Sequence, residues 1–110
     1  MDAWELSELE ASQAASGRLY HEFISVPDLS GGVYVLDAGA IDPQSPHTED
    51  ELYVVMAGRA SVSVGGEVRS VRAGSVIFVG AGVEHRFHDI DERLVLLVMF
   101  GPAEYARGST

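Results

Sequence analysis

The rhythm of its turn signals constrains this chain more than any other feature. From residue 18 onward, apolar runs of strand length alternate with short clusters of glycine, proline and aspartate. No helical period separates any two of these runs. Residues 18–26, 33–36, 52–56, 60–64, 67–71, 76–79, 84–88 and 93–100 read as strands. Between them, residues 27–32, 37–39, 58–59, 65–66, 73–74, 80–82 and 89–92 read as turns or loops, and 39–50 as a longer polar loop. Gly65-Gly66 is the strongest of these signals, because a tight hairpin needs residues that accept positive φ. Parallel strands need crossover helices, and this pattern leaves no room for them, so a parallel α/β sheet is excluded. Closely spaced strands with short turns indicate an antiparallel sandwich or barrel.

A short helix precedes the strands. Residues 4–16 place Leu6, Leu9 and Gln13 on one face, load the first turns with Glu5, Glu8 and Glu10, and end at Gly17, which suits a C-terminal cap. The apolar stripe is thin, so the helix is expected at the periphery. The expected organisation is a helix and arm over residues 1–17, one barrel over 18–101, and a frayed tail over 102–110.

Composition narrows the function. The 110 residues make one domain, and an apolar share of 46% suffices for one core. Seventeen acids against seven bases give a net charge of −10, the wrong sign for nucleic acid or an anionic membrane surface. Without cysteine there is neither a disulfide framework nor a thiolate metal site, so any metal must be held by imidazole and carboxylate. The longest apolar run, residues 94–100, is strand-sized, and the N-terminus has no basic region followed by an apolar stretch. The expected compartment is therefore the cytoplasm.

Two segments carry the candidate chemistry. One is Pro46-His47-Thr48-Glu49-Asp50-Glu51, running into a strand; the other is Gly80-Ala81-Gly82-Val83-Glu84-His85, following one. If the two strands share a barrel, His47, Glu51 and His85 can face one another inside it. Two histidines and a carboxylate around open positions suit a divalent metal. Strand parity puts Ser45, His47, Glu49 and Glu51 on one side, in phase with Tyr53, and puts Phe87 beside His85. Taken singly, each residue has an ordinary role: a solvated histidine, an exposed glutamate at a strand start, a turn histidine. Tyr34, Tyr53, Phe78 and Phe87 are first of all core residues, Tyr53 and Phe87 also being placed to wall a pocket. Glu49 and Asp50 read as surface or rim charge, and His21 and His88 as structural or exposed.

The spacing of these residues resembles that of the cupins. The first cupin motif is Gly, five residues, His-x-His, three or four residues, Glu, six residues, Gly. Here His47, three residues, Glu51, six residues, Gly58 follows it, and Ser45 stands at the first histidine. The second motif is Gly, five residues, Pro-x-Gly, two residues, His, three residues, Asn. Gly74, Gly80-Ala81-Gly82, His85 and Asp89 keep that spacing, with Gly80 and Asp89 replacing Pro and Asn. The resemblance covers about residues 33–100 and implies an all-β, antiparallel double-stranded β-helix or jelly-roll barrel with a short N-terminal helix.

The resemblance further implies one divalent metal ion (Fe, Mn, Ni or Zn) on His47, Glu51 and His85, in a pocket that includes Ser45, Tyr53 and Phe87. Serine is a poor ligand, so the usual set of three histidines and one glutamate is incomplete. The three remaining ligands can bind alone, Glu49 or Gln44 can add a fourth, or the pocket can be metal-free. The leading expectation is a metal-dependent protein acting on a small organic molecule by oxygenase, isomerase or cyclase chemistry, with Glu49 as acid or base at the rim. The alternatives are a non-catalytic ligand-binding or sensor cupin, and a vestigial pocket in a protein that acts by association. A homodimer is expected, formed along the edge strand 18–26 with its Leu19, Phe23 and Ile24.

Overall fold

The computed structural model describes residues 1–106. One helix, α1 (Leu6–Ser16), precedes six strands: β1 (Tyr20–Val26), β2 (Leu29–Leu36), β3 (Asp50–Val64), β4 (Glu67–Arg72), β5 (Val76–Val79) and β6 (His85–Gly101). Every pairing is antiparallel. The order is β1-β2-β6-β3-β4, with β5 also on β3. The spine is β3 against β6, paired from Asp50↔Gly101 to Val64↔His85. On its other edge β3 carries β5 along its first part, Glu51↔Val79 to Val54↔Val76, and β4 along its last, Arg59↔Arg72 to Val64↔Glu67.

Two long bent strands thus stand where four short ones were expected. The Gly58-Arg59 signal is a bend inside β3, not a chain reversal, and residues 89–92 lie within β6. Three register irregularities cluster between Val55 and Ser61, and across them the buried positions of β3 change phase. Glu51, Tyr53 and Val55 are buried before the bend, Ala60 and Val62 after it. The bulges let a bending strand keep one face on the core. Gly58 sits at the crossing with φ +96°, where a Cβ would lie 2.2 Å from the Arg93 carbonyl oxygen. In β6 the inward phase changes beside Asp89, whose φ is 48°.

The loop expected over 27–32 shrinks to a tight turn, and β2 starts at Leu29. Gly31 and Gly32 belong to that strand because the Tyr20 ring lies across Gly32, 2.4 Å from where its Cβ would stand. The Gly65-Gly66 hairpin forms as expected, with φ of 55° and 87°.

The barrel interior holds Leu36, Tyr53, Val55, Phe87, Leu94, Leu96, Val98 and Phe100. On the outer sheet face, α1 lays Leu9 over Val33, Val35 and Val95, and Trp4 meets Phe23 edge-on at 4.9 Å. Gly17 closes the helix with φ 70°, and the Gln13 amide donates to the Arg18 carbonyl at 2.8 Å. β1 ends the sheet order with one edge unpaired among the described residues. Among those residues no helix is long and apolar enough to cross a membrane.

The tail departs from expectation. Residues 102–106 fold back over one end of the barrel, bonded from Ala103 N–H to the Pro27 carbonyl at 3.3 Å and from Glu104 N–H to Ser30 Oγ at 2.8 Å. The rest of the expected frayed tail, 107–110, lies outside the described residues.

Candidate metal centre

Asp42 places the loop that leads into β3. Buried at 3% exposure, it accepts Tyr34 O–H at 2.6 Å and Gln44 N–H at 3.2 Å on one oxygen, and Phe87 N–H at 2.9 Å on the other. The loop is thereby tied to β2 and β6 at once. Two further bonds join the two motif segments: Gly82 N–H to the His47 carbonyl at 2.7 Å, and Ala81 N–H to Asp50 Oδ1 at 2.9 Å. Five residues lie between Gly39, with φ +76°, and Ser45, so the first motif keeps its leading glycine.

His47, Glu51 and His85 come together, as the motif spacing implies. One ligand atom from each lies within 4.8 Å of the others, and both Glu51 and His85 are buried. His85 Nε2 is 3.1 Å and His47 Nδ1 3.6 Å from Glu51 Oε1. His85 Nδ1 faces the Val83 carbonyl at 3.0 Å; a carbonyl only accepts, so that nitrogen carries the proton. In neutral His85 the bare Nε2 therefore points at the site.

Gln44 addresses the gap at the first histidine position. Ser45 is exposed at the cavity rim, while one residue earlier the Gln44 Oε1 reaches within 2.8 Å of His85 Nε2. Tyr53 spends its only hydroxyl proton on that oxygen at 2.5 Å, and its own oxygen lies 3.0 Å from the same Nε2. Burial, with the Glu51 carboxylate nearby, holds the Tyr53 phenol far above its usual pKa, so it stays a neutral donor.

The cluster is rich in acceptors and poor in protons. His47 Nδ1 and both Glu51 oxygens are buried with no hydrogen-bond partner. Buried polar atoms are normally paired, because an orphan keeps its full desolvation penalty. Convergence of such atoms with His85 Nε2 and the Gln44 oxygen leaves two ways to satisfy them, added protons or a cation. The donor set, two imidazoles, a carboxylate and an amide oxygen, fits a divalent transition metal.

Both histidines are held above the usual imidazole pKa. For His47 the Glu104 carboxylate, 3.0 Å from Nε2, is the main cause; burial opposes it, and Glu51 adds to it. For His85 burial pulls down, but the Glu51 carboxylate and the Val83 carbonyl together outweigh it.

Glu49 does not belong to this cluster. It is 1% exposed, not a rim charge, and its oxygens accept Thr48 O–H at 2.6 Å and Tyr105 N–H at 2.9 Å. Strand alternation does not reach Glu49, because β3 begins only at Asp50 and residues 45–49 precede it. Phe87 likewise leaves the expected pocket wall: it is fully buried behind Tyr53, with ring centroids 4.9 Å apart in an edge-on pair. His88 bonds Ser63 Oγ at 2.7 Å and Asp89 at 2.8 Å, away from the cluster. Glu104 and Asp42 had no signal in the motifs; Asp42-Pro43 reads only as a turn, and Glu104 lies in a stretch without period.

Beside the cluster opens a cavity of about 560 Å³ lined by Tyr20, Tyr34, Gln44, His47, Glu51 and Phe100, among others. The Tyr20 hydroxyl is buried there without a partner.

Fold and site together define a small barrel with an imidazole–carboxylate cluster at one end of its interior. The family model described as the cupin domain matches residues 32–100, and this chain belongs to that family. It is 49% identical over 104 residues to an uncharacterized protein of Streptomyces coelicolor, across 94% of this chain and 99% of that one. A solved structure from Klebsiella pneumoniae, an uncharacterized conserved protein with a double-stranded β-helix domain, superposes with a TM-score of 0.77 at 17% identity, covering 94% of this chain and 91% of the other. The DMSP lyase DddQ from Ruegeria pomeroyi gives 0.67 at 22% identity over 74% of this chain, which spans 46% of that one. Likeness at such identities establishes the fold, and one fold hosts many chemistries.

Proposed function

We propose that this protein binds one divalent metal ion through His47, Glu51 and His85, with the Gln44 amide oxygen as a fourth ligand, and acts on a small organic molecule in the adjoining cavity. The observation that carries this reading is the set of buried, partnerless acceptors, His47 Nδ1 and both Glu51 oxygens, beside His85 Nε2. A bound metal would supply Lewis acidity toward a substrate oxygen or a site for dioxygen. The chain's own groups orient the ligand. The orphan Tyr20 hydroxyl offers a donor to a substrate oxygen, and the cavity beside the cluster is lined by both aromatic and polar groups. The neutral Tyr53 phenol keeps Gln44 aimed at the site. Glu49 is buried and already accepts two hydrogen bonds, so it has no part as acid or base in this reading.

A second reading, a metal-free binding or sensor site, draws support from the raised histidine pKa values, since an added proton on His85 would pair with Glu51 at 3.1 Å. Metal-stripped protein separates the two readings. Added Fe(II), Mn(II), Ni(II) or Zn(II) should raise its melting temperature through preferential binding to the native state, and His85→Ala should lose the rise. No rise with any of the four metals supports the metal-free site instead. Homodimerisation through the free edge of β1 remains part of the proposal; Leu19, just before the strand, and Val26 are exposed there, whereas Phe23 packs against Trp4. A monomer by light scattering would remove it.

A further inference from the structure

We propose that Glu104 is a positioning residue of this site, its carboxylate accepting the Nε2–H of His47 so that the opposite nitrogen, Nδ1, presents its lone pair to Glu51 and His85. The proposal rests on the metal-binding reading above and gives it a supporting residue outside both motifs.

The geometry is a chain of single contacts. Glu104 Oε2 lies 3.0 Å from His47 Nε2. An ionised carboxylate has no proton to give, so the proton on that line belongs to Nε2. A neutral imidazole holds one proton, and Nδ1 is then a bare acceptor. That is the nitrogen found buried without a partner, 3.6 Å from Glu51 Oε1. The ring is held in place as well, 4.7 Å from the Phe100 ring and 6.4 Å from that of Tyr105. Glu104 and Glu51 contact opposite nitrogens of the imidazole, so Glu104 acts through His47 and is not itself a ligand. A carboxylate behind a ligating histidine fixes its tautomer and raises its basicity.

The segment that carries Glu104 is anchored at three points. Ser30 Oγ accepts Glu104 N–H at 2.8 Å, the Pro27 carbonyl accepts Ala103 N–H at 3.3 Å, and Glu49 Oε1 accepts Tyr105 N–H at 2.9 Å. Buried Glu49 thereby has a role the motif spacing does not suggest: it latches the C-terminal segment over the site. A glutamate side chain on a loose tail would lose too much rotamer freedom to hold one geometry on its own.

Zinc(II) affinity of the full chain, measured by competition with a chromophoric chelator, tests the proposal in wild type, Glu104→Gln and Glu104→Ala. Loss of such a partner weakens metal binding by about 10–100-fold, expected for Glu104→Ala, with a smaller loss for Glu104→Gln, whose amide oxygen still accepts. Melting temperatures of the metal-free forms should stay close together. A proton NMR spectrum adds a readout that needs no metal: a hydrogen-bonded His47 Nε2–H resonance in metal-free wild type, lost in Glu104→Ala. Should Glu104→Ala fail to fold, Glu104→Met, of similar size and without an oxygen acceptor, carries both comparisons. Zinc bound equally tightly by wild type and both variants overturns the proposal while leaving the metal site intact. A wild type that takes up no zinc overturns the proposal and the metal-binding reading together.

Discussion

Glu51→Gln should change the stability of the metal-free protein in opposite directions at low and high pH. Glu51 is 2% exposed, both its oxygens lack hydrogen-bond partners, and its nearest charged neighbour is His85 at 3.1 Å. His85 has its pKa raised in the folded protein. A group raised in this way contributes stability that is fully present below its unfolded value, about 6.5, and lost as pH rises through the higher folded value. Near pH 5.5, therefore, protonated His85 faces the Glu51 carboxylate, and removing the carboxylate charge costs about 1.5–3 kcal/mol, the worth of a hydrogen bond to a charged group. Above the raised folded value of His85 the imidazole is neutral, and the carboxylate is a buried group without donors, a penalty of about 1–3 kcal/mol or more. Glutamine keeps the shape, drops the charge and can donate to the bare Nε2. The variant should then be more stable than wild type by about 1–3 kcal/mol, or roughly 4–8 °C of melting temperature per kcal/mol for a domain of this size. Urea unfolding in the presence of a chelator at both pH values reads the sign directly. Equal destabilisation at the two pH values would refute the reasoning that the carboxylate lacks a proton-donating partner once His85 is neutral.

Other perturbations probe the scaffold and the site separately. Asp42→Ala strands the Tyr34 hydroxyl and the Gln44 and Phe87 amides, so it should cost about 2–4 kcal/mol in urea unfolding and weaken metal binding by releasing the loop. Gly58→Ala places a methyl 2.2 Å from the Arg93 carbonyl oxygen at φ +96°; a loss of about 2 kcal/mol or more is expected by thermal melting, and a neutral effect would mean the β3–β6 crossing is looser than described. Metal affinity measured across pH should rise as pH increases through the raised values of His47 and His85, with proton release detectable by calorimetry in buffers of different ionisation enthalpy, because only the deprotonated nitrogens bind.

The fold was legible where a local signal and the tertiary structure agree. Gly65-Gly66 formed its hairpin because both residues accept positive φ, whatever the rest of the chain does. Gly58 and residues 89–92 also carry turn signals, yet the antiparallel pairing of β3 with β6 continues across them through register shifts. Their backbone freedom was used for bending. Gly31 and Gly32 misled in the same way: within a strand pair, the missing side chain of Gly32 makes room for the Tyr20 ring, and that of Gly31 for the Ile24 and Phe23 side chains. In the site, the spacing of His47, Glu51 and His85 sufficed to bring them together, because each is at or near a strand end whose partner strands are set by the barrel. Spacing had nothing to say about Glu104. Its place depends on a hydrogen bond from the next residue to a buried glutamate 56 positions earlier. The Ser45 position shows the same limit: the sequence locates the gap, whereas the side chain that reaches into it, Gln44, is set by the Asp42 anchor and the Tyr53 hydroxyl.

Elemental analysis of protein purified without a metal-affinity tag bears most directly on the metal centre. About one equivalent of a divalent transition metal per chain is expected in wild type, and a small fraction of that in His85→Ala, which loses a buried ligand. Wild-type metal below about a tenth of an equivalent, unchanged after incubation with Fe(II), Mn(II), Ni(II) or Zn(II), would contradict the metal centre.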